Sequence, residues 1–173
     1  KKLRDLKIPK GFINWLKDYL YGRITTVRIQ NKYSNFKRAV SGVPQGSVLG
    51  PSLFSLLVGD LTCSSERNTT VKYADDVTII IPFGSNNCDE IMACVEEELT
   101  HIQQWCQRNR QCLNLEKSQL LMCLRSGKVT IDQMPIRNLH NIRILGVTLN
   151  EDLNWNDHIE EICKTASKRL HIL

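Results

Sequence analysis

Two short runs rich in β-branched residues, Val71–Ala74 and Val77–Ile81, are separated only by Asp75-Asp76. Runs this close predict a β-hairpin with the acid pair at its tip. Neighbours on a strand point to opposite faces, but two residues at a tight turn both reach solvent. Adjacent carboxylates repel one another, and a divalent cation relieves that repulsion. Hard oxygen ligands of this kind suit Mg²⁺, which also takes waters and phosphate oxygens. An Asp-Asp pair also simply favours a turn, so the hairpin alone leaves both readings open.

Upstream, residues 41–51 form a loop with three glycines and two prolines, and one amide side chain, Gln45. Glycines allow close approach of backbone to a ligand, and the N-terminus of a helix favours phosphate. The same stretch also reads as an ordinary entry into the next helix. That helix is predicted from the apolar run Leu53, Phe54, Leu56, Leu57 and Val58, buried and ending near Asp60. Before the loop, Pro9 followed by Phe12, Trp15, Leu16, Tyr19 and Leu20 predicts a helix stopped by Gly22. Ile24–Gln30 and Tyr33–Val40 predict a second hairpin across Asn31-Lys32.

After the acidic hairpin, Asn87 with Glu90 resembles a capping box. It opens a helix with Ile91, Val95, Leu99, Ile102 and Cys106 on one face. Gln119–Leu124, Val129–Ile131 and Ile142–Leu149 read as strands, with a turn at residues 132–135. A last helix begins after Asn154 with Trp155, Ile159, Ile162, Ala166 and Leu170 aligned. Residues 62–70 are polar and read as a surface loop. The order predicts an α+β fold, an antiparallel sheet with helices on one face.

At 173 residues, 42% hydrophobic and 24% charged, the chain is near one average domain and outside the disordered range. No stretch approaches the roughly 20 apolar residues that span a bilayer, and no signal peptide opens the sequence. An intracellular protein with no membrane partner is expected. Seven cysteines, with no C-x-x-C pair, read as small buried thiols in a reducing compartment. Charge is distributed unevenly: residues 1–38 carry 11 basic and 2 acidic side chains, and residues 39–100 carry 2 basic and 9 acidic. Basic flanks around an acidic middle suit metal-dependent chemistry on nucleic acid, although a basic arm is also an ordinary solvated surface.

The segments SGVPQGSVLGPSLFSLLVGDL (41–61) and KYADDVTIII (72–81) resemble the reverse transcriptases of non-LTR, LINE-type (jockey-like) retrotransposons. Two further blocks follow in the family's order. LNLEKSQLLMC (113–123) is similar to the lysine-containing palm segment, and IRILGVTLNEDLNWNDHI (142–159) to the stretch leading from palm into thumb. The opening helix and RITTVRI (23–29) match what precedes the glutamine loop, so the resemblance covers nearly the whole chain.

The resemblance implies a right-hand polymerase palm over residues 1–149, with part of the fingers junction, and the start of the thumb over 150–173. The fingers would be largely missing. It implies an RNA-directed DNA polymerase that extends a DNA primer with dNTPs on an RNA template, using two Mg²⁺ ions, with Mn²⁺ as the alternative. Asp75 would be a metal ligand and Asp76 a second or auxiliary carboxylate. Tyr73 would lie near the primer end, where a strand-packing role is nearly as good a reading. Gln45 would line the pocket of the incoming nucleotide, with Gly46 permitting that approach. Lys117 would help protonate the pyrophosphate leaving group, and Gly146 would belong to the hairpin that grips the primer.

The family's first metal-binding aspartate precedes the helix that opens this sequence, and the only acids before residue 60 are Asp5 and Asp18. Without a bridging carboxylate, two ions have too few ligands. The 173 residues are therefore expected to be a piece truncated at both ends, inactive alone. Gly59 is a further departure, since the family usually has Asn there. A non-catalytic nucleic-acid-binding remnant is the second reading and a metal nuclease the third. The family's habits imply a nuclear site of action, with the cytoplasm as the alternative. Oligomeric state is not set by the sequence.

Overall fold

A computed structural model of the chain describes residues 2–84, 87–123 and 136–170. It is an α+β structure whose chain divides into two compact units, Lys1–Cys63 with Asn68–Ile80, and Ser64–Arg67 with Ile81–Leu173.

The first unit opens with a single turn, α1 (Lys2–Asp5), and the predicted helix, α2 (Lys10–Leu20). Pro9 precedes α2 with φ −55°, and its carbonyl accepts the Ile13 amide at 3.1 Å. Ile13 and Leu16 are buried on one side, while Phe12, Trp15 and Tyr19 stack along another, with centroids 5.5 and 5.7 Å apart. Gly22, at φ 68°, turns the chain out of the helix.

The second predicted hairpin is present, but broken into two short pairs. β1 (Ile24–Thr25) pairs with β4 (Lys37–Arg38), and β2 (Arg28–Ile29) with β3 (Lys32–Tyr33), both antiparallel. Its turn sits at Gln30-Asn31 instead of Asn31-Lys32, with Gln30 at φ 53°. Between the pairs, Thr26 and Val27 face Ser34, Asn35 and Phe36, one residue more, which bulges the ribbon. Ser34 fills the gap: its hydroxyl oxygen accepts the Val27 amide at 2.9 Å and its carbonyl accepts the Thr26 hydroxyl at 2.8 Å.

Helix α3 (Leu49–Val58) forms where predicted but is not the buried helix expected. Only Gly50 and Val58 are buried in it. Apolar residues surround this helix, and a small unit has enough neighbouring surface to cover only one side. The unit closes with the acidic hairpin, β5 (Thr69–Tyr73) against β6 (Asp76–Ile80). Thr69 and Thr70 thus extend the strand into what the sequence suggests is loop.

The long helix α4 (Cys88–Arg108) organises the second unit. Asn87 caps it as predicted, with its side chain accepting the Asp89 amide at 3.1 Å, and the contact with Glu90 is between the two side chains at 3.3 Å in place of the backbone bond of a capping box. Ile91, Val95 and Cys106 are buried as predicted, Leu99 and Ile102 half-buried, and Trp105 joins them. Glu98 is also buried in that stripe. Its carboxylate accepts the Ser64 amide at 2.9 and 3.1 Å and the Ser64 hydroxyl at 2.8 Å, so a carboxylate in an apolar row is satisfied there.

β7 (Gln119–Leu121) pairs in parallel with β8 (Arg137–Leu139). The predicted strand Val129–Ile131 and the turn at 132–135 lie outside the described residues. Ile142–Leu149, read as one strand, is a hairpin of β9 (Asn141–Ile144) and β10 (Val147–Asn150). Leu145 and Gly146 form its two-residue turn at φ 50° and 88°, and positive φ at both positions is the signature of a type I′ hairpin. The last helix, α5 (Asn156–Leu170), starts two residues after Asn154, whose side chain accepts the Asn156 amide at 3.1 Å. Trp155, Ile159, Ile162 and Leu170 are aligned as predicted but exposed.

Among the described residues the strands form five separate two-stranded pairs, four antiparallel and one parallel, in place of one continuous antiparallel sheet. Most pairs join strands that are close in sequence, where closing the loop costs little entropy. Joining the pairs into one sheet requires contacts of longer range.

Candidate functional site

The acidic hairpin differs from its predicted form by one residue. Tyr73 pairs with Asp76, so the two-residue turn is Ala74-Asp75, and Asp76 begins the returning strand. Ala74 takes φ 51°, a conformation costly for a residue with a Cβ. Both carboxylates are exposed, and among the described residues neither forms a hydrogen bond or ion pair. Tyr73, the cross-strand partner of Asp76, is 65% exposed and does not pack in a core.

Beneath the hairpin, alternation along β5 turns Thr70 and Lys72 inward and Val71 and Tyr73 outward. The Lys72 ammonium donates to three carbonyl oxygens at the end of α3: Val58 at 3.1 Å, Gly59 at 3.1 Å and Leu61 at 2.9 Å. An ammonium at a helix C-terminus satisfies carbonyls that have no partner in the helix and offsets the negative end of its dipole. Lys2 adds a second ammonium, bonded to the Leu57 carbonyl and to Asp60. Lys72 thereby ties the strand leading into Asp75 to α3. Its only mark in the sequence is a charge inside a β-branched run, at the inward phase of the alternation.

Gln45 and Gly46 occupy the centre of a tight turn closed by the Ser47 amide on the Pro44 carbonyl at 3.2 Å. Gly46 has φ 79°, as the third position of a type II turn requires, and nothing lies within 4 Å of a Cβ added there. The requirement for glycine is thus conformational, and it leaves the Gln45 side chain exposed. Close packing falls instead on Gly50, where a Cβ would meet the Ser47 hydroxyl at 3.1 Å. That hydroxyl donates to the Pro44 carbonyl at 2.7 Å and accepts the Gly50 amide at 3.1 Å, joining the turn to the first turn of α3. The Arg23 guanidinium donates to the carbonyls of Leu20 at 3.1 Å and Gly42 at 2.6 Å, anchoring the other end of the loop. Ser47 and Arg23 both lie inside the quoted segments, 41–61 and 23–29, but nothing in those segments singles them out.

Lys117 and Gly146 belong to the second unit. Lys117 is exposed in a turn whose amide is held by Asn114. Gly146 lies at the turn of the β9–β10 hairpin, and that hairpin is fastened to α5 by polar contacts. Arg143 pairs with Glu161 at 2.7 Å, the Thr148 hydroxyl donates to Glu161, and Asn150 and Asn154 exchange bonds of 2.9 and 3.0 Å.

The Thr148 hydroxyl, with help from Arg143 and His158, holds the Glu161 carboxyl below its ordinary range. A depressed carboxylate stabilises the fold above its unfolded pKa, about 4.5, and that contribution is lost as pH falls through its folded value. Thr148→Val is expected to move the Glu161 titration upward. A carboxyl NMR titration unchanged by that substitution would remove the hydroxyl as the main cause.

Asp75 and Asp76 supply two hard oxygen donors with no cation paired to them among the described residues, a donor set that fits Mg²⁺ as part of a larger coordination sphere. Among the described residues no group of three or more His, Cys, Asp or Glu side chains converges on a metal position. No described helix is long and apolar enough to cross a membrane.

Residues 1–149 match the family described as reverse transcriptase (RNA-dependent DNA polymerase). The chain is similar to a probable RNA-directed DNA polymerase from transposon BS of Drosophila melanogaster, at 28% identity over 95% of the chain and 19% of the relative. It is 30% identical to the RNA-directed DNA polymerase from the mobile element jockey of the same species, over 85% of the chain and 17% of the relative. A probable RNA-directed DNA polymerase from transposon X-element is 27% identical over 90% of the chain and 18% of the relative. The chain thus spans about a fifth of the length of the curated relatives it matches. No solved structure matches it.

Proposed function

We propose that this chain, which belongs to the reverse transcriptase (RNA-dependent DNA polymerase) family of jockey-like non-LTR retrotransposons, supplies the catalytic hairpin and nucleotide loop of a longer RNA-directed DNA polymerase. The family match over residues 1–149 carries this reading. The carboxylates of Asp75 and Asp76, exposed and unpaired among the described residues, support it. On this reading residues 1–149 are palm with part of the fingers junction, and 150–173 begin the thumb.

Asp75 and Asp76 would hold Mg²⁺. Bound there, the ion would lower the pKa of the primer 3′-hydroxyl and neutralise charge on the phosphates. In the overall reaction, the primer 3′-oxygen forms a bond to the α-phosphorus of a dNTP. The bond to pyrophosphate breaks, and the hydroxyl proton is released. The Gln45 amide, presented on its type II turn, hydrogen-bonds the incoming nucleotide. Lys117 gives a proton to the departing pyrophosphate, while Tyr73 and the Gly146 hairpin contact the primer. RNA template, DNA primer and dNTPs are the partners, and the nucleus is the site of action. Two adjacent carboxylates are too few to hold two ions about 3.5–4 Å apart, so these 173 residues alone would support no synthesis.

Primer extension on an RNA template by a longer chain containing these residues tests the reading. In that enzyme Gln45→Ala is expected to raise KM for dNTP roughly tenfold with kcat little changed, the cost of about one hydrogen bond to a ligand. A longer chain that extends no primer on RNA overturns the reading. An unchanged KM removes Gln45 from the nucleotide site.

A further inference from the structure

The ribbon formed by residues 21–40 is unlike the rest of the chain. It has no core: every residue of β1, β2, β3 and β4 is exposed. Yet it carries Tyr21, Tyr33 and Phe36, which are 78%, 62% and 77% exposed, together with exposed Ile24, Val27, Ile29 and Val40. No acid occurs between Asp18 and Asp60, while Arg28, Lys32, Lys37 and Arg38 project from the ribbon. Two of the aromatic rings are already paired with cations. The Arg28 guanidinium lies 5.5 Å from the Tyr33 centroid, and that of Arg38 lies 5.5 Å from Tyr21. Each ring therefore has one face against a guanidinium, and Phe36 has no ring partner among the described residues.

Burying these side chains against an apolar protein surface would leave four cations desolvated without counter-charge, which is costly. A bilayer surface engages a single face. Arg28 and Tyr33, as cross-strand partners, share one face of the ribbon, whereas Ile29 and Lys32 share the other, so cation and apolar group occur together on both. The chemistry that satisfies both faces is a flexible polyanion with flat apolar groups.

We infer that the 21–40 ribbon is a stacking platform for single-stranded RNA, with Tyr21, Tyr33 and Phe36 receiving bases and Arg28, Lys32, Lys37 and Arg38 receiving phosphates. Aromatic platforms flanked by cations bind single strands without sequence readout. Arg23 does not take part, because both its Nε and its Nη2 are committed, to the carbonyls of Leu20 and Gly42, whereas Arg28 commits only its Nε, to the Gln30 carbonyl at 2.8 Å. That commitment fastens the ribbon to the loop preceding Gln45. Catalysis and metal are not needed for this binding, which goes beyond the polymerase reading and does not depend on it.

The test is binding of fluorescein-labelled oligo(U) 12-mer RNA to the 173-residue chain in EDTA, read by anisotropy across a salt series. The triple variant Tyr21→Ala, Tyr33→Ala, Phe36→Ala is expected to weaken binding at least about a hundredfold with the salt slope unchanged, given that each of three stacked bases contributes roughly 5- to 150-fold. Replacing Arg28, Lys32, Lys37 and Arg38 by Gln should flatten the slope by about 0.7 for each phosphate released. An RNA duplex of equal length should compete poorly. Wild-type affinity in the aromatic variant, an unchanged slope in the cation variant, or equal competition by duplex each overturns the platform. All substituted positions are exposed, so thermal melts of the variants should overlay the parent. A variant that melts early is replaced by single substitutions at Phe36 and Tyr33, read against the same criteria. A chain that binds through the ribbon while its longer form extends no primer keeps the platform and sinks the polymerase, and the converse result does the reverse.

Discussion

Asp75→Asn, made in a longer polymerase that contains these residues, is expected to reduce RNA-templated primer extension on the order of a thousand-fold. That is the scale of losing one preorganised charge at the reacting centre. The substitution is almost isosteric, and Asn is as suited to a two-residue turn as Asp. Asp75 is exposed and without a protein partner among the described residues. Its removal should therefore change stability by less than about 0.5 kcal/mol, as for surface substitutions generally. A large catalytic loss with an unchanged melt is what a metal ligand gives and what a turn-forming residue does not. Asp76→Asn should behave similarly but less severely if Asp76 is the auxiliary carboxylate. It begins β6, opposite Tyr73 in the ladder, and is more restricted in direction than a turn residue. Primer extension at saturating and limiting Mg²⁺ separates the two. Normal turnover in Asp75→Asn at both concentrations would sink the assignment.

Local signals in the sequence found local structure. Pro9 and Gly22 bracket α2, Asn87 and Glu90 open α4, and the β-branched runs around Asp75-Asp76 form one hairpin. Failures arose where short-range pattern has two solutions. Ile142–Leu149 reads as one apolar run, yet Leu145-Gly146 permits a type I′ turn, and the resulting hairpin satisfies the same backbone groups locally. The tip of the acidic hairpin moved by one residue because Ala74, not a usual turn residue, takes the positive φ. Burial was the least legible property. Apolar periodicity marks the stripe on α5 and the run in α3 but cannot say whether a neighbour covers them, and here the α5 stripe is exposed while the α3 run is mostly half-buried. For the candidate site, the motifs gave the side chains that face solvent, Gln45, Asp75 and Asp76. They did not give Ser47, Arg23 or Lys72, which hold those groups from behind through backbone carbonyls, because a carbonyl acceptor leaves no mark in a sequence.

Lys72 makes that last point measurable. Lys72→Met keeps the length and apolar stem of the side chain and deletes three charge-assisted bonds to Val58, Gly59 and Leu61. Bonds of this kind contribute about 1.5–3 kcal/mol each where buried. Lys72 is only half-buried and water can reach part of the cluster, so a total loss of about 2–3 kcal/mol is expected, read from the denaturant midpoint of the chain. Lys72→Arg should recover less than half of it. Three carbonyls converging on one tetrahedral ammonium are poorly matched by a planar guanidinium fork. Because Lys72 lies on β5, the strand that leads into the turn carrying Asp75 three residues later, the Met variant of a longer polymerase should also need more Mg²⁺ for half-maximal extension while retaining most of its kcat at saturation. A generally destabilised enzyme would lose kcat at all Mg²⁺ concentrations. Unchanged denaturant and Mg²⁺ midpoints in Lys72→Met would show that the carbonyls are served equally well by water and that α3 does not position the acidic hairpin through this lysine.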